Sequence, residues 1–300
     1  MSGGHSHPPP GHAGGRHRWR LAVSFGLVAS FFGVELVAGI MSQSLALLSD
    51  AGHMAADVVT LGAALLATRI AARPDTTGRR TFGSYRAEIF ASGLAVLVMI
   101  AVSIYIVIAA IGRMGSTPEV GSTAMFVVGA IGLVINVIAL LLLRGGAGES
   151  LNVKGAYLEV VADTLGSIGV IVAAVLITVT GEAVWDTVIA LAIGAFVLLR
   201  ALRLGREVLA VLGQHAPAGM VPDTVMEALT AVDGVEEVHD LHLWTLTSGM
   251  DVATAHLVVR DESDEVLAQA TALLRDQFGI AHATLQVETS DSKHCQGVDW

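Results

Sequence analysis

The sequence predicts an α-helical membrane domain of six transmembrane helices followed by a small α+β domain, and three observations predict it. Of 300 residues, 53% are hydrophobic and only 15% charged, with a mean hydropathy of +0.67, where a soluble domain carries about a quarter charged residues. Apolar stretches recur at lengths near the roughly 20 residues that cross about 30 Å of hydrocarbon. After about Gln214 these runs give way to short alternating and helically periodic segments.

The first stretch, about Trp19 to Ile40, contains Glu35, and the second, about Ala46 to Ala72, is interrupted by Asp50, His53 and Asp57. The third and fourth, Ile89–Ile111 and Val120–Leu143, contain no formal charge. The fifth, about Val153–Thr180, carries Glu159 and Asp163 in its first half. The sixth begins near Trp185–Asp186 and continues to about Leu204, with Arg200 and Arg203 placed to snorkel at its end. Met41–Ser44, Arg113–Glu119 and Gly181–Glu182 break the runs. Beyond them, Asp223–Ala231 reads as a helix, Val238–Thr245 as a strand, Ser248–Gly249 as a turn and Val252–Val259 as a second strand. Ser263–Phe278 has helical periodicity and Ala283–Glu288 is the last strand. This αββαβ order leaves one sheet face open, which invites packing against a second copy. The expected division is a His/Gly/Pro-rich cytoplasmic tail over 1–17, the membrane domain over 18–206, the small domain over 207–290 and a flexible tail over 291–300.

Arginine placement sets the expected orientation. Arg16, Arg18 and Arg20 precede the first stretch; Arg69, Arg73, Arg79, Arg80 and Arg86 lie between the second and third. Arg144 and Lys154 flank the fourth-to-fifth loop, and Arg200, Arg203 and Arg206 follow the sixth, whereas Arg113 is the one base of the opposite loops. Both termini are therefore expected on the cytoplasmic side, and the compact loops lean toward a bacterial plasma membrane. The formal net charge of −10 gathers its acids toward the C-terminus, which argues against a nucleic-acid partner. One cysteine, Cys295, excludes an intramolecular disulfide, and the N-terminus lacks the apolar core of a signal peptide.

His53 and Asp57 are spaced i,i+4 and project from one helix face, and Glu159 and Asp163 repeat that spacing. Ionisable groups at membrane depth cost at least about 2.5–3.5 kcal/mol each and mark functional sites. Joined, the two faces make a cage of three carboxylates and one imidazole able to be neutralised by a divalent cation; zinc takes four such ligands tetrahedrally. The bland alternative is a water-lined gap, or ion pairs with the arginines. Glu35 is expected to serve structurally, Asp50 to cap or shape the entrance of the second helix, and Gly166, Ser167 and Gly169 to permit close helix packing.

Four segments, SLALLSDAGHMAAD, FGSYRAE, NVKGAYLEVVAD and VHDLHLWTLTSG, together resemble the cation diffusion facilitator family of metal/proton antiporters. Ser44–Asp57 (SLALLSDAGHMAAD) is similar to the second-helix signature, Phe82–Glu88 (FGSYRAE) to the motif opening the third helix, and Asn152–Asp163 (NVKGAYLEVVAD) to the start of the fifth. Val238–Gly249 (VHDLHLWTLTSG) resembles the first two strands of the family's cytoplasmic domain. The resemblance runs from about Leu21 to Glu288. It implies a ferredoxin-like small domain and a homodimer that exports Zn²⁺ in exchange for protons by alternating access, with no cofactor. Zinc-transporting members usually carry His in the fifth helix where this chain has Glu159; the harder ligand improves the case for Mn²⁺ or Fe²⁺ (or Co²⁺ or Cd²⁺) export within the same family, while His53 favours Zn²⁺, Co²⁺ or Ni²⁺ over Mg²⁺ and Ca²⁺.

The family's small domain often binds further zinc at its dimer face. His239 and His256 fall at matching positions on neighbouring strands, with Gln286 and Glu288 on the strand that would add ligands; exposed strand-edge polarity is the alternative. His242 beside Trp244 is expected to be packed, and His282, His294 and Cys295 are weaker candidates. Asp75 stands without histidine in the loop between the second and third helices, and His5, His7, His12 and His17 form a sparse tract suited to weak metal capture or to disorder. An intramembrane metalloprotease needs a pattern such as His-Glu-x-x-His, which is absent, so no enzyme is expected. A membrane-anchored metal sensor would not need paired acids in two helices, and a passive channel is separated by proton coupling alone.

Overall fold

The computed structural model describes residues 14–71, 81–82, 86–113, 119–145, 151–247, 249–260 and 264–289, with backbone alone at 14–22, 24, 60–61, 63–71 and 151–156. His5, His7, His12, Asp75, His294, Cys295 and the tail beyond Thr289 lie outside these residues, as does the side chain of His17. Six long helices come first: α1 Gly14–Met41, α2 Leu45–Ala71, α3 Ala87–Gly112, α4 Ser122–Leu143, α5 Leu151–Thr180 and α6 Val184–Leu212. There follow α7 Pro222–Thr230, β1 Val235–Thr247, β2 Met250–Val259, α8 Asp264–Phe278 and β3 His282–Thr289. The chain divides into two compact units, Met1–Ala64 with Ala91–Leu204, and Leu65–Phe90 with Gly205–Trp300.

In the first unit the helices turn large apolar side chains outward. Leu94, Leu97, Ile104, Ile108 and Ile111 of α3 are all more than half exposed, an apolar surface that only lipid or another protein would cover. Among the described residues, four helical segments are long and apolar enough to cross a membrane: Ala87–Gly112, Ser122–Leu143, Tyr157–Thr180 and Val184–Leu212. Phe25–Met41 is a shorter apolar helix, and α2 dilutes its apolarity with Asp50, His53 and Asp57.

The helices interlock where side chains are small. Asn136 of α4 donates to Ser167 Oγ of α5 at 3.3 Å. Helices α2, α3 and α6 share a cluster of Ala56, Ala95, Val96, Met99, Val197 and Ala201. A Cβ on Gly52 would stand 2.2 Å from Val102 Cγ1, so α2 approaches α3 closely here and a larger residue would force Val102 to move. A larger cluster, including Phe31, Leu45, Met54, Ile106, Met125, Val170 and Ala190, joins all six helices.

The start of α2 is anchored across the unit. Ser44 accepts from the Leu47 N–H at 3.1 Å, as an N-cap serine does. Asp186, in the first turn of α6 and fully buried, accepts from Leu45 N at 2.7 Å, Ala46 N at 3.1 Å and Ser44 Oγ at 2.7 Å. Arg113 closes the arrangement with an Nη1–Asp186 Oδ2 bond of 3.0 Å. The cap of α2 is therefore Ser44 with Asp186. Asp50, expected to cap this helix, sits more than a turn inside it, its carboxylate so close to α5 that a Cβ on Gly166 would lie 2.1 Å from Asp50 Oδ1. Helix α6 runs to Leu212, well past the expected end near Leu204, because Arg203, Arg206 and Glu207 interrupt hydropathy without interrupting helix formation.

In the second unit, β1 pairs antiparallel with β2, and β2 pairs parallel with β3, giving the order β1-β2-β3. Val225 and Leu229 of α7 and Val266, Ala270 and Leu274 of α8 pack on Leu243, Ala253, Ala255, Leu257 and Val259 of the sheet. The register slips between His239 and His242, where Asp240 takes φ +53°. This irregularity lets Val238, Leu241 and Leu243 all reach the helix-covered core despite their odd and even positions.

Candidate metal centres

Helical periodicity brings the first cluster together as the sequence predicts. His53 Nε2 stands 3.8 Å from Asp57 Oδ2 on its own helix and 3.5 Å from Asp163 Oδ1 on α5. His53, Asp57 and Glu159 each present a ligand atom, all within 4.8 Å of one another, and Asp163 adjoins them through the imidazole. His53, Asp57 and Asp163 are buried, at 2%, 8% and 3% exposure. Asp57 Oδ2, Asp163 Oδ1 and His53 Nδ1 have no hydrogen-bond partner among the described residues. Buried carboxylate lone pairs left open in this way are costly unless something of positive charge meets them. The donor set, three carboxylate groups and one imidazole, is one that accepts a first-row divalent ion. Buried acid continues from Asp163 toward Asp50 and Glu35, which neighbour one another and are 1% and 0% exposed.

Arg200 joins the cluster, the kind of arginine ion pair that the alternative reading allowed, although the sequence placed this residue only as a snorkelling one. Expected to snorkel away from the bundle, its guanidinium instead lies in the cluster: Nη1 meets His53 Nε2 at 3.1 Å, Nη2 meets Asp57 Oδ1 at 3.4 Å, and the same nitrogen pairs with Glu159 Oε2. A guanidinium only donates, so Nε2 is the acceptor here and the ring proton belongs on Nδ1. The signal was present in the spacing. Ile193, Val197, Ala201 and Leu204 form the face of α6 that packs on α2 and α3, and Arg200 falls on that face, three residues after Val197.

A second cluster lies in the second unit, on the sheet face opposite α7 and α8. Strand register sets His239 directly across from His256, their ring centroids 5.2 Å apart. Glu288 of β3 reaches both: Oε1 is 2.9 Å from His256 Nδ1 and Oε2 is 3.6 Å from His239 Nε2. The three offer ligand atoms within 4.8 Å of one another, and Glu288 is only 3% exposed. Gln286 donates to Glu288 Oε1 at 2.8 Å, orienting the carboxylate. His242, expected to be packed, is half exposed and pairs with Asp240 at 2.9 Å; His282 stacks edge-on with Phe82.

An apolar helical bundle closed around buried acids and an imidazole has the build of a membrane cation transporter. Comparison with known proteins identifies which kind. Residues 21–212 match the family model of the cation efflux transmembrane domain, and residues 217–290 that of the cation efflux protein cytoplasmic domain. The metal cation efflux system protein CzcD of Cupriavidus metallidurans is 45% identical over 292 residues, covering 96% of this chain and 90% of its own. The cadmium, cobalt and zinc/H⁺-K⁺ antiporter of Bacillus subtilis is 34% identical over 290 residues, covering 94% and 93%. The zinc transporter ZitB of Escherichia coli is 34% identical over 303 residues, covering 100% and 95%. A solved structure of the metal-bound C-terminal domain of the CzcD transporter aligns with 23% of this chain at 38% identity and a TM-score of 0.22. The chain belongs to the cation diffusion facilitator family and is a divalent metal cation efflux transporter.

Proposed function

We propose that this transporter carries Zn²⁺ out of the cytoplasm in exchange for protons, holding the ion between α2 and α5 with His53, Asp57, Glu159 and Asp163. The convergence of those four side chains inside an apolar helical unit carries the reading. Relatives named for zinc, and for cadmium, cobalt and zinc, support the metal class. In this reading all six helices span a cell membrane and both termini are cytoplasmic, an orientation that the arginines of the loops support.

The chemistry follows from the ligand set. His53 and the carboxylates bind metal only when deprotonated, so metal and proton compete for the same atoms. Metal entering an inward-facing cavity displaces protons from His53 and the carboxylates into the cytoplasm, and the helices then rock outward. Reprotonation from a more acidic exterior then discharges the ion. Because Glu159 replaces an imidazole by a carboxylate, Co²⁺, Cd²⁺, Mn²⁺ and Fe²⁺ are the competing substrates. The small ferredoxin-like domain pairs two copies of the chain, and His239, His256 and Glu288 hold an accessory ion on its open face. The domain limits at 17/18, 206/207 and 290/291 are retained, with α6 continuing through the middle one.

The test is Zn²⁺ flux into proteoliposomes of purified protein under an imposed pH gradient, set beside Mn²⁺, Co²⁺ and Cd²⁺. Uptake that ignores collapse of the gradient overturns antiport, and Glu159→His is expected to raise the Zn²⁺/Mn²⁺ ratio.

A further inference from the structure

The proposed transport site already contains a cation of its own. Arg200 reaches His53 Nε2, Asp57 Oδ1 and Glu159 Oε2, and these are atoms that the proposed ligands would turn toward a metal. A lone pair that accepts from a guanidinium is not free to coordinate, so the two cations exclude one another at His53 and compete at both carboxylates. An arginine stays charged at every working pH, so deprotonation cannot remove this competitor; it must move. The geometry gives it room. Its side chain is 25% exposed while Asp57 and His53 beneath it are 11% and 2% exposed, and its long stem can carry the charge outward along the helix.

The charge count points the same way. Three carboxylates with a divalent cation leave one negative charge, and a guanidinium nearby cancels it. Three carboxylates alone leave a large deficit that the guanidinium only partly offsets. Arg200 therefore lowers the cost of the metal-free site without leaving the loaded site overcharged.

We propose that Arg200 is a resident counter-cation of the transport site, seated on His53, Asp57 and Glu159 when metal is absent, displaced outward as metal binds and returning as metal leaves. Its substrate-side consequence is a site tuned for release: metal binds against a built-in rival and is expelled with its help. This rests on the assignment of His53, Asp57, Glu159 and Asp163 as the metal ligands.

The experiment uses the full-length protein in detergent micelles, with His256→Ala present throughout to silence the small-domain cluster. Zn²⁺ affinity is read by competition with a chromophoric chelator, and Zn²⁺ flux by proteoliposome transport. Arg200→Gln is expected to tighten Zn²⁺ binding about tenfold or more, while lowering both KM and kcat because release slows. Arg200→Lys keeps the charge and is expected to fall between Arg200→Gln and the parent. Unchanged or weaker binding by a folded Arg200→Gln protein overturns the proposal. Asp163→Ala separates the two layers of argument: Arg200 makes no direct bond to it, and if this variant binds Zn²⁺ normally, the site assignment itself fails. If Arg200→Gln does not fold, Zn²⁺ titration of the parent protein decides the matter by NMR of the arginine guanidinium. Release of hindered rotation at Arg200 supports the proposal; resonances that ignore Zn²⁺ overturn it.

Discussion

Replacing Asp186 by alanine tests whether the start of α2 is held by α6, and through it whether the proposed transport site is held in register. Asp186 is fully buried and accepts from two backbone N–H groups, one hydroxyl and one guanidinium. Alanine leaves the Leu45 and Ala46 N–H groups without their acceptor inside the protein, at a cost of about 1–3 kcal/mol each. It also leaves Arg113, 19% exposed, without its carboxylate. Arg113 keeps its bond to the Gln43 carbonyl and gains some water, which reduces that part. The two N–H groups sum to about 2–6 kcal/mol, and about 3–5 kcal/mol, the range for breaking one side of a buried pair, is the expected loss. Asp186→Asn keeps an acceptor oxygen and the shape but not the charge, and is expected to cost about half as much. The measurement is reversible denaturant unfolding of the purified protein in micelles, followed by far-UV circular dichroism, with Arg113→Ala and the double variant completing the cycle. A coupling energy within about 0.5 kcal/mol of zero would show the two residues to be independent. A loss below about 1 kcal/mol for Asp186→Ala would refute the anchoring argument. Because His53 lies about two turns beyond this cap, transport should fall along with stability.

Asp163→Ala or Asp57→Ala is expected to abolish Zn²⁺ flux while the protein still elutes as a folded dimer on size exclusion; flux at the parent rate would remove the site assignment. Gly166→Ala drives a methyl to 2.1 Å from Asp50 Oδ1 and should cost about 1–3 kcal/mol by overpacking, read in the same denaturant titration. His256→Ala or Glu288→Ala should lower the Zn²⁺ bound per protomer, counted by atomic absorption after gel filtration, with Asp163-dependent binding intact. Zn²⁺ binding should release protons, so its calorimetric enthalpy must vary with the ionisation enthalpy of the buffer; buffer-independent heats would refute competition between metal and proton.

Local rules carried much of the fold. Apolar length gave the helices because lipid leaves few alternatives, and period-two patterning placed the strands with their ends extended by a residue or more, β1 reaching Val235–Thr247. Both pairs of proposed ligands could be picked out because an i,i+4 spacing fixes a shared face without knowledge of any partner. His239 and His256 were legible for the corresponding reason, since strand register sets them opposite one another. What stayed hidden were the long-range contacts of Asp186 and Arg200. Asp186 meets Ser44 across 142 residues and Arg200 meets His53 across 147; no periodicity within either segment names the other. Arg113 shows the same limit in reverse. Read as a loop charge it bears on orientation, yet its guanidinium is joined to a buried carboxylate, so it does not act as a free loop cation.

Arg200 gives a different lesson, because the sequence contained its position and an ordinary rule pointed the wrong way. An arginine near the end of an apolar run is usually placed by snorkelling, but that rule assumes the helix stops there. Helix α6 continues to Leu212, so Arg200 is interior to it and its direction is set by the buried face of Val197 and Ala201. On that face its nearest acids belong to α2 and α5. The extra carboxylate that Glu159 brings to the cluster and the charge that Arg200 returns meet in direct contact. Glu159, which stands where two-histidine sites carry an imidazole, is thus paired with Arg200, and neither should be substituted without following the other. Glu159→His with Arg200 retained leaves two carboxylates, one divalent ion and one guanidinium, a net positive site. The double variant Glu159→His/Arg200→Gln restores neutrality and is expected to bind Zn²⁺ more tightly than either single variant; affinities of the singles that simply add in the double variant would show that the pair is not coupled.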